Sequence, residues 1–257
     1  MAGFPYGSTK TFCCAHSCTL ASGAYPSALL EQWDRWEAAE GTFNDRPTFY
    51  DQDALHVILV MEYGGLDLEH FALDSMARIR SVLLQVLSAV ALAEDKLQFE
   101  HRDLHLGNVL VKESHRDSIQ LGNYQAIPTA GIVTSIIDCS LSRFRAAGGG
   151  GGEVEEDILF RNLNNDAWLF TGDAGESRQY QVYRDMRDLL QSGWQQHQPR
   201  SNLLWITYIT EELLQRGAKL GKKEPTLHQA LLEFSQKLNS GAFSCAKEAF
   251  THLYRLE

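Results

Sequence analysis

Apolar positions along the chain fall into segments of distinct period. Residues 1–24 mix Gly, Ser, Thr and Cys without a period and are expected to be irregular. Leu29, Leu30, Trp33 and Trp36 recur at helical spacing, which predicts a helix over 26–39 with its aromatic stripe packed in a core. Pro26 suits the first turn of that helix and Gly41 its end. The run 55–63, LHVILVMEY, is β-branched and nearly continuous, the pattern of a buried strand, and Gly64-Gly65 ends it. Asp74 is then the expected cap of a long helix through about Glu94, marked by Met76, Ile79, Leu83, Val86, Leu87 and Val90. Short strand-like runs follow at 109–112, 118–121 and 133–138. Helical periods return at 179–190, 202–216, 226–238 and 243–253, and no repeat is visible. This order predicts an α+β fold with a helix-dominated body.

Composition narrows the class. With 44% hydrophobic and 22% charged residues over 257 positions, the chain is globular in character and long enough to bury a sizeable core. Lys and Arg number 23 against 33 Asp and Glu, a net charge of −10. That balance disfavours binding to a phosphate backbone, so no direct nucleic-acid contact is expected, and it suits a cationic partner. The longest apolar segment, around 82–93, is interrupted by Gln85 and Ser88, so no bilayer span and no membrane partner are expected. Five cysteines, an odd count, and a start without an apolar run argue for reduced thiols in the cytosol or nucleus. Cys13, Cys14, His16 and Cys18 lack the second ligand pair of a zinc site. The run Gly148–Gly152, flanked by Arg145 and by Glu153, Glu155 and Glu156, has the composition of a mobile loop.

The chemistry concentrates in His101-Arg102-Asp103-Leu104-His105-Leu106-Gly107-Asn108, followed by an apolar strand and, thirty residues on, by Ile136-Ile137-Asp138-Cys139-Ser140. Phosphoryl transfer needs one carboxylate to orient the substrate hydroxyl, and a second carboxylate with an amide oxygen to hold a divalent metal against the phosphates. Asp103, Asp138 and Asn108 supply those groups from two loops; the bland alternative is a structural loop with fortuitous carboxylates. The pattern resembles the catalytic loop and metal-binding segment of eukaryotic-type protein kinases. It also resembles the HxDLHxGN loop of small-molecule kinases through His105 and Gly107.

Further blocks separate the two. They are Gly23-Ala24-Tyr25-Pro26, Asn44-Asp45-Arg46-Pro47, Glu62-Tyr63-Gly64-Gly65-Leu66-Asp67-Leu68-Glu69, Leu169-Phe170-Thr171-Gly172-Asp173, Tyr180-Gln181-Val182-Tyr183-Arg184 and Ser201-Asn202-Leu203-Leu204-Trp205. Together they resemble the haspin family of atypical serine/threonine protein kinases, from about residue 20 to the C-terminus. The resemblance implies a protein-kinase-like fold over 25–257, with a hinge at about 60–67 and a helical C-lobe over 68–257. It implies ATP and Mg²⁺ as cofactors and a threonine near the N-terminus of a core histone tail as substrate. A monomer in the nucleus, on chromosomes, would follow. Asp103, within the His101-Arg102-Asp103 segment, would be the catalytic carboxylate, and Asn108 and Asp138 the Mg²⁺ ligands. Met61, Glu62 and Gly64 would form the hinge that holds adenine, and Asp67 would lie near the ribose or the peptide. Asp166 would face the basic tail, whereas Trp168 stands where the family has another acid. Cys139-Ser140 replaces the family's Tyr-Thr after the metal-binding Asp, which puts a thiol beside the nucleotide site.

Only about sixty residues precede Met61; they contain no GxGxxG, and Lys10 is their only Lys. Glu31, Glu37 and Glu40 lie in a helix that resembles the family's own insertion. The expectation is therefore a C-lobe with an N-lobe remnant. Loss of the phosphate-covering loop and its Lys would slow transfer by roughly 10³-fold or more. A non-catalytic module that docks a basic peptide is the competing reading, and a small-molecule kinase the third.

Overall fold

The computed structural model describes residues 11–42, 44–122, 124–146, 157–175 and 177–256. The expected mobile run Gly148–Gly152 and Lys10 lie outside them. The chain forms two compact units, one over Cys14–Tyr63 and the other from Gly64 onward with the described residues before Cys14.

In the first unit, β1 (Ala15–Ser22) precedes α1 (Ser27–Glu40), and β2 (Leu55–Met61) pairs antiparallel with β1 from Ser22↔Leu55 to Ala15↔Met61. Residues 15–22 are thus a strand, against the expectation of an irregular segment over 1–24. Their small and polar side chains are mostly exposed on both faces, so no alternation marks them, and backbone pairing with β2 supplies the order. The β-branched residues of β2 do form a strand, but an exposed one: Leu55 is 68% and Val57 66% accessible. α1 likewise buries no residue, and Trp36 is 63% accessible, so its aromatic stripe does not pack in a core. Local polar ties hold the unit's loops. Arg46 makes a bidentate pair with Asp34 (2.6 and 2.8 Å), and His56 Nε2 hydrogen-bonds Gly23 O at 2.8 Å among Tyr25 and Tyr50.

The second unit carries the core. β3 (Leu66–Asp67), α2 (Met76–Leu97), β4 (Val109–Glu113), the hairpin β5 (Ser118–Ile119) and β6 (Ile127–Pro128), and β7 (Ile132–Ile136) come first. β8 (Phe144–Ala146) pairs with β9 (Asp157–Leu159), and α3 (Gln179–Leu189), α4 (Arg200–Arg216), α5 (Ala218–Gly221), α6 (Pro225–Asn239) and α7 (Ala246–Tyr254) complete it. β3, β4 and β7 form an antiparallel sheet in that order, with Asp67 opposite Leu110 and Val109 opposite Ile136.

α2 is buried along almost all its length, from Met76 to Glu94. It packs on β7, α4 and α7. It is long and apolar enough to cross a membrane, contrary to the expectation that no segment is, and 83% of its most apolar stretch is covered by the rest of the fold. A core helix passes the same length test when every face has a protein neighbour. Gln85, buried at its centre, ties it to the sheet: Nε2 donates to Ile132 O (3.1 Å) and Oε1 accepts from Thr134 N (2.9 Å). Ser75, not Asp74, caps the helix, its Oγ accepting from Arg78 N; the Asp74 carboxylate instead meets Arg78 Nε at 3.4 Å. α7 starts at Ala246 rather than 243, where the Glu248 carboxylate accepts from Ser244 N at 2.8 Å.

Candidate active site

The loop that carries Asp103 begins at the end of α2. Gln98, left-handed at φ 48°, ends the helix, and the chain then runs through Glu100-His101-Arg102-Asp103 into a 3₁₀ turn at Leu106–Asn108 and on into β4. Arg102 has φ 67°, unusual for a side chain with a Cβ. Its guanidinium is fully buried: Nε and Nη2 both donate to Glu100 Oε2 at 3.2 Å, Nη1 has no partner among the described residues, and the group lies 5.4 Å over the Trp194 ring. Glu100 is held in turn by Ser201 Oγ (2.8 Å) and Gln198 N (2.7 Å). A buried charge with this many partners fixes the loop's direction.

His101 is completely buried. Its ring Nε2 lies 3.0 Å from Ile137 O, so the neutral ring carries its proton there, and burial pushes its pKa down to about 4. This contact joins the Asp103 loop to the segment that carries Asp138, as does Ile137 N donating to Asn108 O at 3.0 Å. The His101 backbone N–H is held by Asn202 Oδ1 of α4 at 2.9 Å.

Asp103 is oriented by three groups. Tyr183 Oη of α3 donates to its Oδ1, and Asn108 Nδ2 donates to its backbone O (2.8 Å) and reaches Oδ2 at 3.4 Å. His105 Nε2 stands 3.9 Å from Oδ1, while His105 Nδ1 accepts from Gly107 N. Burial raises the Asp103 pKa and Asp138 adds to the rise, whereas Tyr183 and His105 pull it down. Asp138 is the opposite case. It is exposed, at φ 59°, and hydrogen bonding from Ser140, first its side chain and then its backbone N–H on Oδ1 (3.1 Å), holds the carboxyl below the usual range. Asp103, Asn108 and Asp138 therefore converge, with one carboxylate shielded and one ionised and open.

The remaining expected residues are placed as follows. Asp67 pairs across the sheet edge with Leu110; its Oδ1 accepts from His70 N (3.0 Å) and meets His70 Nδ1 (2.7 Å). Burial raises its pKa, but these contacts outweigh it and hold the carboxyl low. Gly64 is buried where a Cβ would meet Leu110 Cδ1 at 2.5 Å, and at Gly65, φ 110°, a Cβ would meet Val111 O at 2.0 Å. Met61 and Glu62 belong to the other unit and are exposed; Glu62 N donates to Cys14 O at 2.8 Å. Asp166 is buried, both oxygens taken by Arg161 (2.6 and 2.7 Å), so its charge is already paired, and Trp168 beside it is 64% accessible. Cys139 is exposed, yet partial desolvation raises its thiol pKa.

Sequence reasoning did not assign roles to Glu100, Tyr183, Asn202 and Trp194. Tyr183 and Asn202 sit within segments singled out for their resemblance, but nothing in their spacing shows that they reach residues 80 and 101 positions away.

Comparison with known proteins matches residues 9–254 to the haspin like kinase domain model. The chain is 33% identical over 252 residues to the serine/threonine-protein kinase haspin of Bos taurus, covering 96% of the chain and 29% of that protein. It is 35% identical over 233 residues to the haspin homolog of Arabidopsis thaliana, covering 90% and 37%. The chain thus spans about a third of the length of the curated relatives it matches. With the HRD-type loop, its Asn108 and the Asp138 segment gathered in one matched domain, the chain belongs to the haspin like kinase family.

Proposed function

We propose that the chain is a serine/threonine protein kinase that transfers the γ-phosphate of ATP, with Mg²⁺, to a threonine near the N-terminus of a core histone tail, acting in the nucleus on chromosomes. The observation that carries the reading is the pairing of a shielded Asp103, aimed by Tyr183 and Asn108, with an open, ionised Asp138.

The residues present fit a hard divalent cation. Asp138 offers an ionised carboxylate, and the Asn108 nitrogen is committed to Asp103, which leaves the amide oxygen as the atom for a metal. Asn108 and Asp138 would hold Mg²⁺, which when bound neutralises charge on the phosphate oxygens. Asp103 accepts or orients the threonine hydroxyl proton at Oδ2, since Oδ1 is occupied by Tyr183. Asp67, held ionised by His70, offers a carboxylate to a ribose hydroxyl or a basic side chain.

A basic tail suits a chain of net charge −10. Asp166 contributes to that field only through its pair with Arg161. Histone-tail peptides carrying threonine, or alanine at that position, test the substrate class. The threonine peptide should take phosphate, with its KM rising as salt is added, and the alanine peptide should not. Equal labelling of an acidic threonine peptide would contradict the proposal. Binding of the peptide without transfer would favour the docking module instead.

A further inference from the structure

Glu94 lies in the last turns of α2, outside every group assigned above. It is 8% accessible, and among the described residues no cation pairs with it. Its two oxygens are divided between two N–H donors on different helices: Asn202 Nδ2 of α4 donates to Oε1 at 2.9 Å, and Ala246 N, the first residue of α7, donates to Oε2 at 3.0 Å. Burial, with the nearby Glu100 charge, raises the Glu94 pKa to about 7.

Asn202 is fully buried and every polar atom of its amide is used. Nδ2 also donates to Phe99 O at 2.9 Å, and Oδ1 accepts from His101 N at 2.9 Å. Two acceptors on one side, Glu94 and Phe99 O, force the amide nitrogen toward them. The oxygen is thereby turned to the His101 N–H, one residue before the strained Arg102 and two before Asp103. Without Glu94 as acceptor, Nδ2 keeps one partner only, and a flipped amide would set N–H against N–H at His101.

We propose that Glu94 is a positioning residue for the catalytic loop: it acts through the orientation of Asn202 and sets where Asp103 points. The proposal rests on the phosphoryl-transfer reading for its kinetic consequence. Its structural consequence, the hold on the His101 amide, stands apart from that reading.

Three variants test it. Glu94→Gln keeps the shape but turns an NH₂ group against either Asn202 or Ala246. Its kcat should fall about tenfold with the KM for ATP within about twofold. Amide hydrogen exchange over 99–108 should quicken. Asn202→Asp sets two carboxylates face to face and should lose more. In the double variant Glu94→Gln/Asn202→Asp the new amide donates to the new carboxylate, whose second oxygen still accepts from His101 N, while Phe99 O is left facing a carboxylate oxygen. Part of the kcat lost in Asn202→Asp should return, a rescue that simple destabilisation does not produce; melting temperatures recorded for all three separate the two. Wild-type kcat and exchange in Glu94→Gln would overturn the proposal, as would a double variant no better than Asn202→Asp. If Asn202→Asp does not fold, Glu94→Gln against wild type decides. If the wild-type chain transfers no more phosphate than Asp103→Asn, the kinase reading fails, and exchange at 99–108 alone decides the role of Glu94.

Discussion

Asp103 and Asp138 show how one type of side chain is placed in two opposite environments. Burial raises the first while Tyr183 partly restores its ionised form; the side chain and backbone N–H of Ser140 keep the second charged. Tyr183→Phe removes the hydrogen bond that favours the Asp103 carboxylate. Its pKa should rise further, so the acid limb of the pH–rate profile should move to higher pH and kcat should fall roughly tenfold or more. An unshifted limb would show that Tyr183 does not tune Asp103. His101 is the second case. Its pKa is lowered to about 4 from an ordinary 6.5, so the ring stays neutral in the fold at neutral pH. The unfolded chain binds this proton at higher pH than the fold does. The stability His101 contributes is therefore present above about 6.5 and is lost as pH falls toward 4. NMR of the ring should show no titration between pH 8 and 5.5; an inflection near 6.5 would contradict the burial argument.

Elements differ in how far their residues announce them. The long helix α2 and the loop after it were legible, because a 3.6-residue period and the spacing of Asp103, Asn108 and Asp138 are local properties of the chain. The strand β1 was not, because neither of its faces is buried and its order comes from β2, more than thirty residues away. The same gap hid the exposure of α1 and β2: apolar content predicts the element, while burial depends on what faces it. It also hid Tyr183, Asn202 and Glu100, whose roles depend on tertiary contacts across about a hundred positions. At the turn into β3, Gly65 combines φ 110° with Val111 O at 2.0 Å from any added Cβ. Gly65→Ala should cost about 2–4 kcal/mol in a denaturant titration of the chain. A change within about 0.5 kcal/mol would show that the β3–β4 edge moves freely.

On the scale of the whole molecule, the chemistry-bearing residues Asp67, Asp103, Asn108 and Asp138 all belong to the unit beginning at Gly64, built around α2 and the β3–β4–β7 sheet. Met61 and Glu62 lie in the other. The chain as a whole carries a net charge of −10. The most direct measurement is the rate at which this chain moves the terminal phosphate of ATP to a threonine-containing basic peptide in Mg²⁺, compared with Asp138→Ala and Asp103→Asn. Wild type should label the peptide, and each variant should lose about 10³-fold or more. A wild-type rate equal to either variant's would contradict the assignment of Asp103 and Asp138 as the centre of phosphoryl transfer.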